Sequence, residues 1–224
     1  MEEKIKKEIL AFKALKKGNY LEAENLLREI VSIGTNNYSI YGSLAVLSGK
    51  KGNIDEMFEY LTYSTKLNPK YAEGHFNLGI IYLKKGDFDN AVLQLEAVLD
   101  NFSGTKAAHQ AKFYLGRTAF INGNNDKALV YLTESVSKMR YDNLKKEGYI
   151  MLAELENDTK MFDKAMKFTD SENEIKYISI LKAKKLAQNG QTDQSIMLLE
   201  SLDADNPVYN QLFEEVYGYV LSIN

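Results

Sequence analysis

A period of 34 residues is the feature that most restricts how this chain can fold. Its clearest copy, residues 72–105, reads AEGHFNLGIIYLKKGDFDNAVLQLEAVLDNFSGT. Leu78, Ile81 and Tyr82 recur with the three- and four-residue spacing of one helix face. A second apolar helix pattern follows Gly86, a residue that readily takes the left-handed conformation that ends a helix. The segment therefore predicts a hairpin of two short helices.

Variants of this hairpin recur along most of the chain. The turn glycines Gly18, Gly52 and Gly86 are 34 residues apart, and Asn or Asp follows each one as an expected N-cap. Small residues such as Gly79 and Ala91 lie in the apolar faces, where two helices can then approach closely. We assign six repeats and a final capping helix. Their bounds are 4–37, 38–71, 72–105, 106–145, 146–175 and 176–207 for the repeats, and 208–223 for the final helix.

The later repeats depart from this regularity. Gly123 is 37 residues beyond the preceding turn, and we expect the extra residues near 103–108. In the fifth repeat Lys160 occupies the turn position in place of glycine, and a short second helix is expected. The final helix, NQLFEEVYGYVLSI, has a wide apolar face. We expect it to pack on the sixth repeat, with Phe213, Tyr217 and Val220 leaving apolar surface that could support a homodimer.

The repeat resembles the tetratricopeptide repeat, whose pattern includes Leu-Gly, then Tyr, then Ala, and later Pro. Leu78, Gly79, Tyr82 and Ala91 match it in the third repeat, and Pro69 ends the second. The resemblance implies an all-α fold, a right-handed α-solenoid of about six helix-turn-helix repeats with a C-terminal capping helix. It also implies a single domain over residues 1–224 that binds a protein or peptide.

In that family the first helix of each repeat lines a concave groove that binds partners. The basic residues of the family's terminal-carboxylate clamp are missing here. An apolar groove is predicted instead; the alternative is that the same side chains only pack between repeats. The predicted groove residues are Phe12, Leu15, Val46, Phe76, Asn77, Ile80, Phe113, Arg117 and Phe120.

The sequence gives no sign of catalytic or metal chemistry. There is no cysteine and only two histidines, of which His75 is expected to pack and His109 to be exposed. Asp203, Asp205 and Glu214 have the outer spacing of a calcium loop, but Pro and Val stand where a ligand and glycine belong. We therefore predict no enzyme activity, no cofactor and no metal.

Charge and hydropathy argue against nucleic-acid and membrane partners. The net charge is -3, and acidic residues lie close to lysine pairs such as Lys16-Lys17, which indicates a solvated helix face. No apolar run approaches the ~20 residues of a membrane span. We expect a cytoplasmic protein, with a removed targeting segment as the alternative.

Two functions fit these expectations best. The first is a scaffold or adaptor that binds a peptide or amphipathic helix of a partner protein in its groove. The second is a secretion or assembly chaperone that shields an apolar segment of a client. A sensor for a peptide signal is a third reading, and an enzyme is the least favoured.

Overall fold

The computed structural model describes residues 2–102, 104–202 and 209–223, and all regular structure in these ranges is helical. The expected all-α fold is confirmed, and the helices form an α-solenoid of helix-turn-helix repeats. A 3-10 turn, Val136–Lys138, follows α8. The helices are α1 (Glu2–Lys17), α2 (Tyr20–Ser32), α3 (Tyr38–Lys50), α4 (Ile54–Leu67), α5 (Ala72–Lys85), α6 (Phe88–Phe102), α7 (Lys106–Ile121), α8 (Asn125–Ser135), α9 (Asp142–Glu156), α10 (Lys160–Met166), α11 (Glu172–Gln188), α12 (Thr192–Glu200) and α13 (Asn210–Ser222).

The chain divides into two compact units, residues 1–111 and 112–224. In the first unit α1 packs on α2, α3 on α4 and α5 on α6, while contacts of α2 with α3 and of α4 with α5 join successive repeats. In the second unit α9 packs on α10 and α11 on α12, and α8 contacts α9. The assignment of one domain to the whole chain stays a prediction.

Glycine turns close the first helices as the sequence predicts. The five predicted turn glycines have φ values between 71° and 81°, the left-handed region. The residue after each glycine donates its backbone N–H to the carbonyl five residues earlier, as Asp87 does to Tyr82 at 3.0 Å. This pattern satisfies a carbonyl that the helix end would otherwise leave unpaired. The glycines concerned are Gly18, Gly52, Gly86, Gly123 and Gly190.

The fifth turn corrects the sequence assignment. Lys160 is not the turn residue, because it begins α10. Asn157 follows the last residue of α9 and takes the left-handed conformation with φ 55°. Asparagine is among the residues that tolerate this region best, so the turn forms without glycine. The second helix of this repeat is short, as expected, with seven residues.

The predicted caps form at three of four turns. The side chains of Asn53, Asp87 and Asn124 each accept a hydrogen bond from the backbone N–H three residues later. Asn19 does not, and its side-chain amide donates instead to Glu22 at 3.3 Å. The expectation was therefore wrong at Asn19, because its amide is used by a neighbouring carboxylate.

The close crossing predicted for the third repeat is present. Ala91 is fully buried. A Cβ atom added to Gly79 would lie 2.8 Å from Leu95 Cγ and 3.4 Å from the Ala91 carbonyl oxygen. Larger side chains would therefore push α5 and α6 apart.

Helix α13 packs on α11 and α12, as expected for a cap on the sixth repeat. Its inner side chains include Phe213 and Val220, which are buried, and Tyr217 stacks on Phe213 with 5.7 Å between ring centres. These residues therefore do not form the leftover surface that the sequence predicted, because the sixth repeat covers them. The predicted start at residue 208, like Asp203 and Asp205, lies outside the described residues. The exposed apolar residues near the end of α13 are Tyr219, Leu221 and Ile223.

Candidate partner-binding face

The predicted groove residues of the first unit lie on α1, α3 and α5, at or near the surface. Phe12 is 37% exposed and Val46 is 46% exposed. The side chains of these two residues are large and apolar, so their exposure offers contact area to a partner. The other predicted residues of this unit are half-buried, namely Leu15, Phe76, Asn77 and Ile80. We call this surface of α1, α3 and α5 the first-helix face.

An open pocket of about 350 Å³ lies on this face. Leu15 of α1 and Val46 of α3 supply apolar walls, and the rings of Tyr20 and Tyr71 add aromatic surface. Hydroxyl groups supply polar contacts beside these walls. The pocket is suited to a side chain that is mostly apolar. Its remaining lining residues are Ser39, Gly42 and Ser43.

Two glycines position the ring of Tyr71. A Cβ atom on Gly42 would lie 2.6 Å from the Tyr71 hydroxyl oxygen, and one on Gly74 would lie 2.4 Å from its ring. The ring also packs against Tyr38, with 5.2 Å between centres. Burial raises the pKa of the Tyr71 hydroxyl, and the nearby charge of Glu73 raises it further. The hydroxyl therefore stays protonated at neutral pH and can donate or accept a hydrogen bond.

Sequence reasoning names two pocket residues and misses three that shape it most, Tyr20, Tyr71 and Gly42. Gly42 carries a signal that could have revealed the pocket. The 34-residue period aligns it with Glu8 and Phe76, which have large side chains. A missing side chain at this position of the middle repeat leaves space on the face.

Phe113 in the second unit is a correction. It is fully buried and belongs to a core cluster with Leu132 and Leu152. The physical reason is Gly148 on α9, because a Cβ atom there would lie 3.1 Å from the Phe113 ring. The absence of a side chain at Gly148 admits the ring into the core, so Phe113 does not line a surface groove.

Arg117 and Phe120 do not form an apolar surface with Phe113 either. Arg117 Nε lies 2.6 Å from Glu147 Oε1, so a carboxylate on α9 compensates its charge. Phe120 is half-buried and packs against the core cluster that contains Phe113. The structure therefore brings the predicted residues together on the first-helix face but not in the second unit.

The histidines occupy structural positions. The two ring nitrogens of His75 lie 2.8 Å from Gln94 Oε1 and 3.0 Å from the Pro69 carbonyl oxygen. His109 is half-buried, not exposed as expected. Within the described ranges, no group of three or more His, Cys, Asp or Glu is placed to hold a metal ion. None of the described helices is long and apolar enough to cross a membrane.

Comparison with known proteins agrees with this architecture. The family model for the tetratricopeptide repeat matches residues 59–104 and 76–137. A UDP-N-acetylglucosamine--peptide N-acetylglucosaminyltransferase from Caenorhabditis elegans is 29% identical over 82 residues, which are 37% of this chain and 7% of that protein. The chain thus matches only a small part of this much longer relative.

Solved structures extend the likeness over the whole fold. YrrB, described as a TPR protein with an unusual peptide-binding site, has a TM-score of 0.68 at 14% identity, covering 86% of this chain and 97% of its own. PilW, a type IV pilus biogenesis factor, has a TM-score of 0.61 at 16% identity, covering 97% and 99%. The repeats and their packing define a helical-repeat interaction protein. The chain is a tetratricopeptide-repeat protein, by sequence over residues 59–137 and by fold over the other described helices.

Proposed function

We propose that this protein is a non-catalytic interaction scaffold that binds a peptide segment of a partner protein on the first-helix face. The exposure of Phe12 and Val46 beside the pocket carries the proposal. Contiguous exposed apolar surface commonly marks an interaction site, and aromatic side chains often supply much of the binding energy. The peptide-binding site named for YrrB supports the same class of ligand.

An assembly chaperone is the second candidate. Exposed apolar residues could shield an apolar segment of a client protein, and PilW is named as a biogenesis factor for an assembled structure. The two functions differ in the partner's fate. A scaffold keeps its partner bound, whereas a chaperone releases its client on assembly. A cytoplasmic location is proposed on the sequence expectation alone, and cell fractionation would test it.

Affinity capture from the native cell, followed by mass spectrometry, tests the binding face. The double variant Phe12→Ala/Val46→Ala should reduce recovery of the main partner, because hot-spot residues contribute more than ~1 kcal/mol each. The matched control is Leu93→Ala/Val130→Ala, which removes two exposed apolar side chains from second helices. Equal losses in both double variants, with circular dichroism unchanged, would contradict the proposal.

Helix α13 supports a separate proposal of two-fold self-association. Leu221 is 52% exposed and Ile223 is 44% exposed, beside Tyr219. Light scattering over a range of concentrations should show a dimer that Leu221→Glu disrupts. A strict monomer at high micromolar concentration would refute the dimer and leave the packing of α13 on the sixth repeat unaffected.

A further inference from the structure

Each first helix within residues 2–102 carries the same pair of side chains near its C-terminal end. An apolar residue is followed four positions later by an exposed lysine, which places the two side chains on one side of the helix. The 34-residue period repeats this pair on α1, α3 and α5, forming an apolar row and a lysine row on the first-helix face. The pairs are Phe12 and Lys16, Val46 and Lys50, and Ile80 and Lys84.

The lysine row has no carboxylate partner among the recorded ion pairs of the described residues. Lys16 and Lys84 take part in none of them. Lys50 places its ammonium group 4.6 Å from the centre of the Tyr20 ring, a residue that lines the pocket. Helix dipoles favour lysine at helix C-termini, but they do not neutralise a full positive charge.

The lysines that follow immediately in the sequence are used differently. Lys51 Nζ lies 2.5 Å from Glu24, and Lys85 Nζ lies 4.7 Å from the centre of the Phe58 ring. Glu24 and Phe58 occupy the same position in successive second helices. Lys51 and Lys85 therefore join neighbouring repeats, whereas the lysines of the row remain available to a ligand.

Acidic groups on the same helices lie too far away to neutralise the row. Glu8 precedes Lys16 by eight residues, a rise of about 12 Å along α1. Glu73 precedes Lys84 by eleven residues, a rise of about 16 Å along α5. The carboxylate of Glu8 also accepts a hydrogen bond from the side-chain amide of Asn37 at 3.3 Å. The lysine ends of the three helices therefore present uncompensated positive charge beside apolar surface.

We propose that the two rows bind an extended acidic peptide in which apolar and acidic residues stand side by side and recur every third position. The proposal rests on the proposed scaffold function and names the chemistry of the partner. In a polyproline-type extended chain, every third residue points the same way and recurs about every 9 Å. Packed helices are separated by a similar distance, about 8–10 Å. Apolar side chains of the peptide contact the apolar row, and its carboxylates pair with the lysines.

Fluorescence anisotropy with three labelled synthetic peptides tests this chemistry. The peptides repeat Leu-Glu-Ser, Leu-Gln-Ser or Leu-Lys-Ser, so that only the charge differs. The Leu-Glu-Ser peptide should bind about tenfold more tightly than the Leu-Gln-Ser peptide, and the difference should shrink at high salt because exposed ion pairs are screened. Equal affinities for these two peptides, or tighter binding of Leu-Lys-Ser, would overturn the proposal.

A charge-reversal variant with a matched control locates the contact. Lys16→Glu/Lys50→Glu/Lys84→Glu should lose the preference for Leu-Glu-Ser and gain affinity for Leu-Lys-Ser. The control, Lys13→Glu/Lys66→Glu/Lys70→Glu, changes the net charge equally at exposed lysines of the same unit and should alter affinity by less than about twofold. Circular dichroism checks that both variants fold. Equal effects of the two triple variants would overturn the proposal.

Other outcomes separate this inference from the scaffold function. Binding of the Leu-Gln-Ser peptide as tightly as Leu-Glu-Ser, with loss in Phe12→Ala/Val46→Ala, would keep the scaffold function and refute the acidic partner. Circular dichroism of the bound acidic peptide showing a helix would refute the extended conformation. A single-stranded RNA oligonucleotide that binds in preference to all three peptides, and is lost in the row variant, would assign the lysines to nucleic acid and overturn the inference.

Discussion

The first and second units use the same helical hairpin in different ways. In the first unit glycine turns recur every 34 residues, and the second helices α2, α4 and α6 have 13, 14 and 15 residues. In the second unit a 3-10 turn follows α8, Asn157 replaces a turn glycine, and α10 has only seven residues. The difference shows what strict repetition does to a surface.

Strict repetition places equivalent side chains in equivalent environments. Phe12 and Val46 are one period apart, and both are exposed on the first-helix face. Irregularity in the second unit has the opposite effect, because Gly148 and the 3-10 residue Val136 make room for Phe113 in the core. Regular repeats thus extend a binding surface, whereas an altered repeat converts a similar side chain into core.

The largest expected effect comes from two phenylalanines on first helices. Phe113→Ala should cost about 3–5 kcal/mol of unfolding free energy, because the side chain is fully buried. Phe12→Ala removes a side chain that is 37% exposed and should cost less than about 1 kcal/mol. Urea unfolding followed by circular dichroism measures both. Equal losses would remove the contrast between a core residue and a surface residue.

A second change tests the regular helix crossing in the first unit. Ala91→Leu should destabilise the protein by about 1–3 kcal/mol, because the larger side chain overpacks the crossing of α5 and α6. Leu93→Ala, at a residue of α6 that is 61% exposed, is the control and should change stability by about 0.5 kcal/mol or less. A urea midpoint unchanged in Ala91→Leu would mean that the crossing is not tightly packed.

A third test concerns the charged contacts that join the first two repeats. The hydrogen bond from Lys51, and then that from Arg28, lowers the pKa of Glu24, although burial opposes the shift. Because the folded pKa lies below the unfolded value of about 4.3, the stabilisation is present above that pH and is lost as the pH falls through the folded pKa. Glu24→Gln should cost about 1 kcal/mol at neutral pH and make acid unfolding less steep.

Glu174 in the second unit provides the comparison for this test. Hydrogen bonds from Lys146 and then Thr169 lower its pKa as well, but its side chain is 41% exposed, against 8% for Glu24. Glu174→Gln should therefore have the smaller effect on unfolding between pH 3 and 7, flagged here as about that range. A larger effect of Glu174→Gln would show that the charged contacts of the second unit contribute more than their exposure indicates.

The smallest expected effect concerns the altered turn. Asn157→Gly should raise stability by a few tenths of a kcal/mol, because glycine takes a φ of 55° without a side-chain penalty while its greater freedom in the unfolded chain offsets part of the gain. Gly86→Asn should lower stability by a similar amount. Melting temperatures from calorimetry would show both changes. A loss in Asn157→Gly would mean that the asparagine side chain itself stabilises the turn.

The sequence by itself determined the hairpins of the first unit. Apolar spacing, the glycine turns and the small residues Gly79 and Ala91 predict helices and a crossing that the structure confirms. These features depend on residues close together in the chain, so a local pattern records them. The packing of α13 on the sixth repeat was likewise predictable from its apolar face.

Only the tertiary structure decided which apolar side chains remain on the surface. Helical spacing places Phe12 and Phe113 on their helices but does not reveal what faces them. Gly148, 35 positions after Phe113, admits that ring to the core, and Gly42 leaves space beneath Tyr71 on the first-helix face. Burial depends on the size of facing side chains from other helices, and their distance in sequence hides that relation from a periodic pattern.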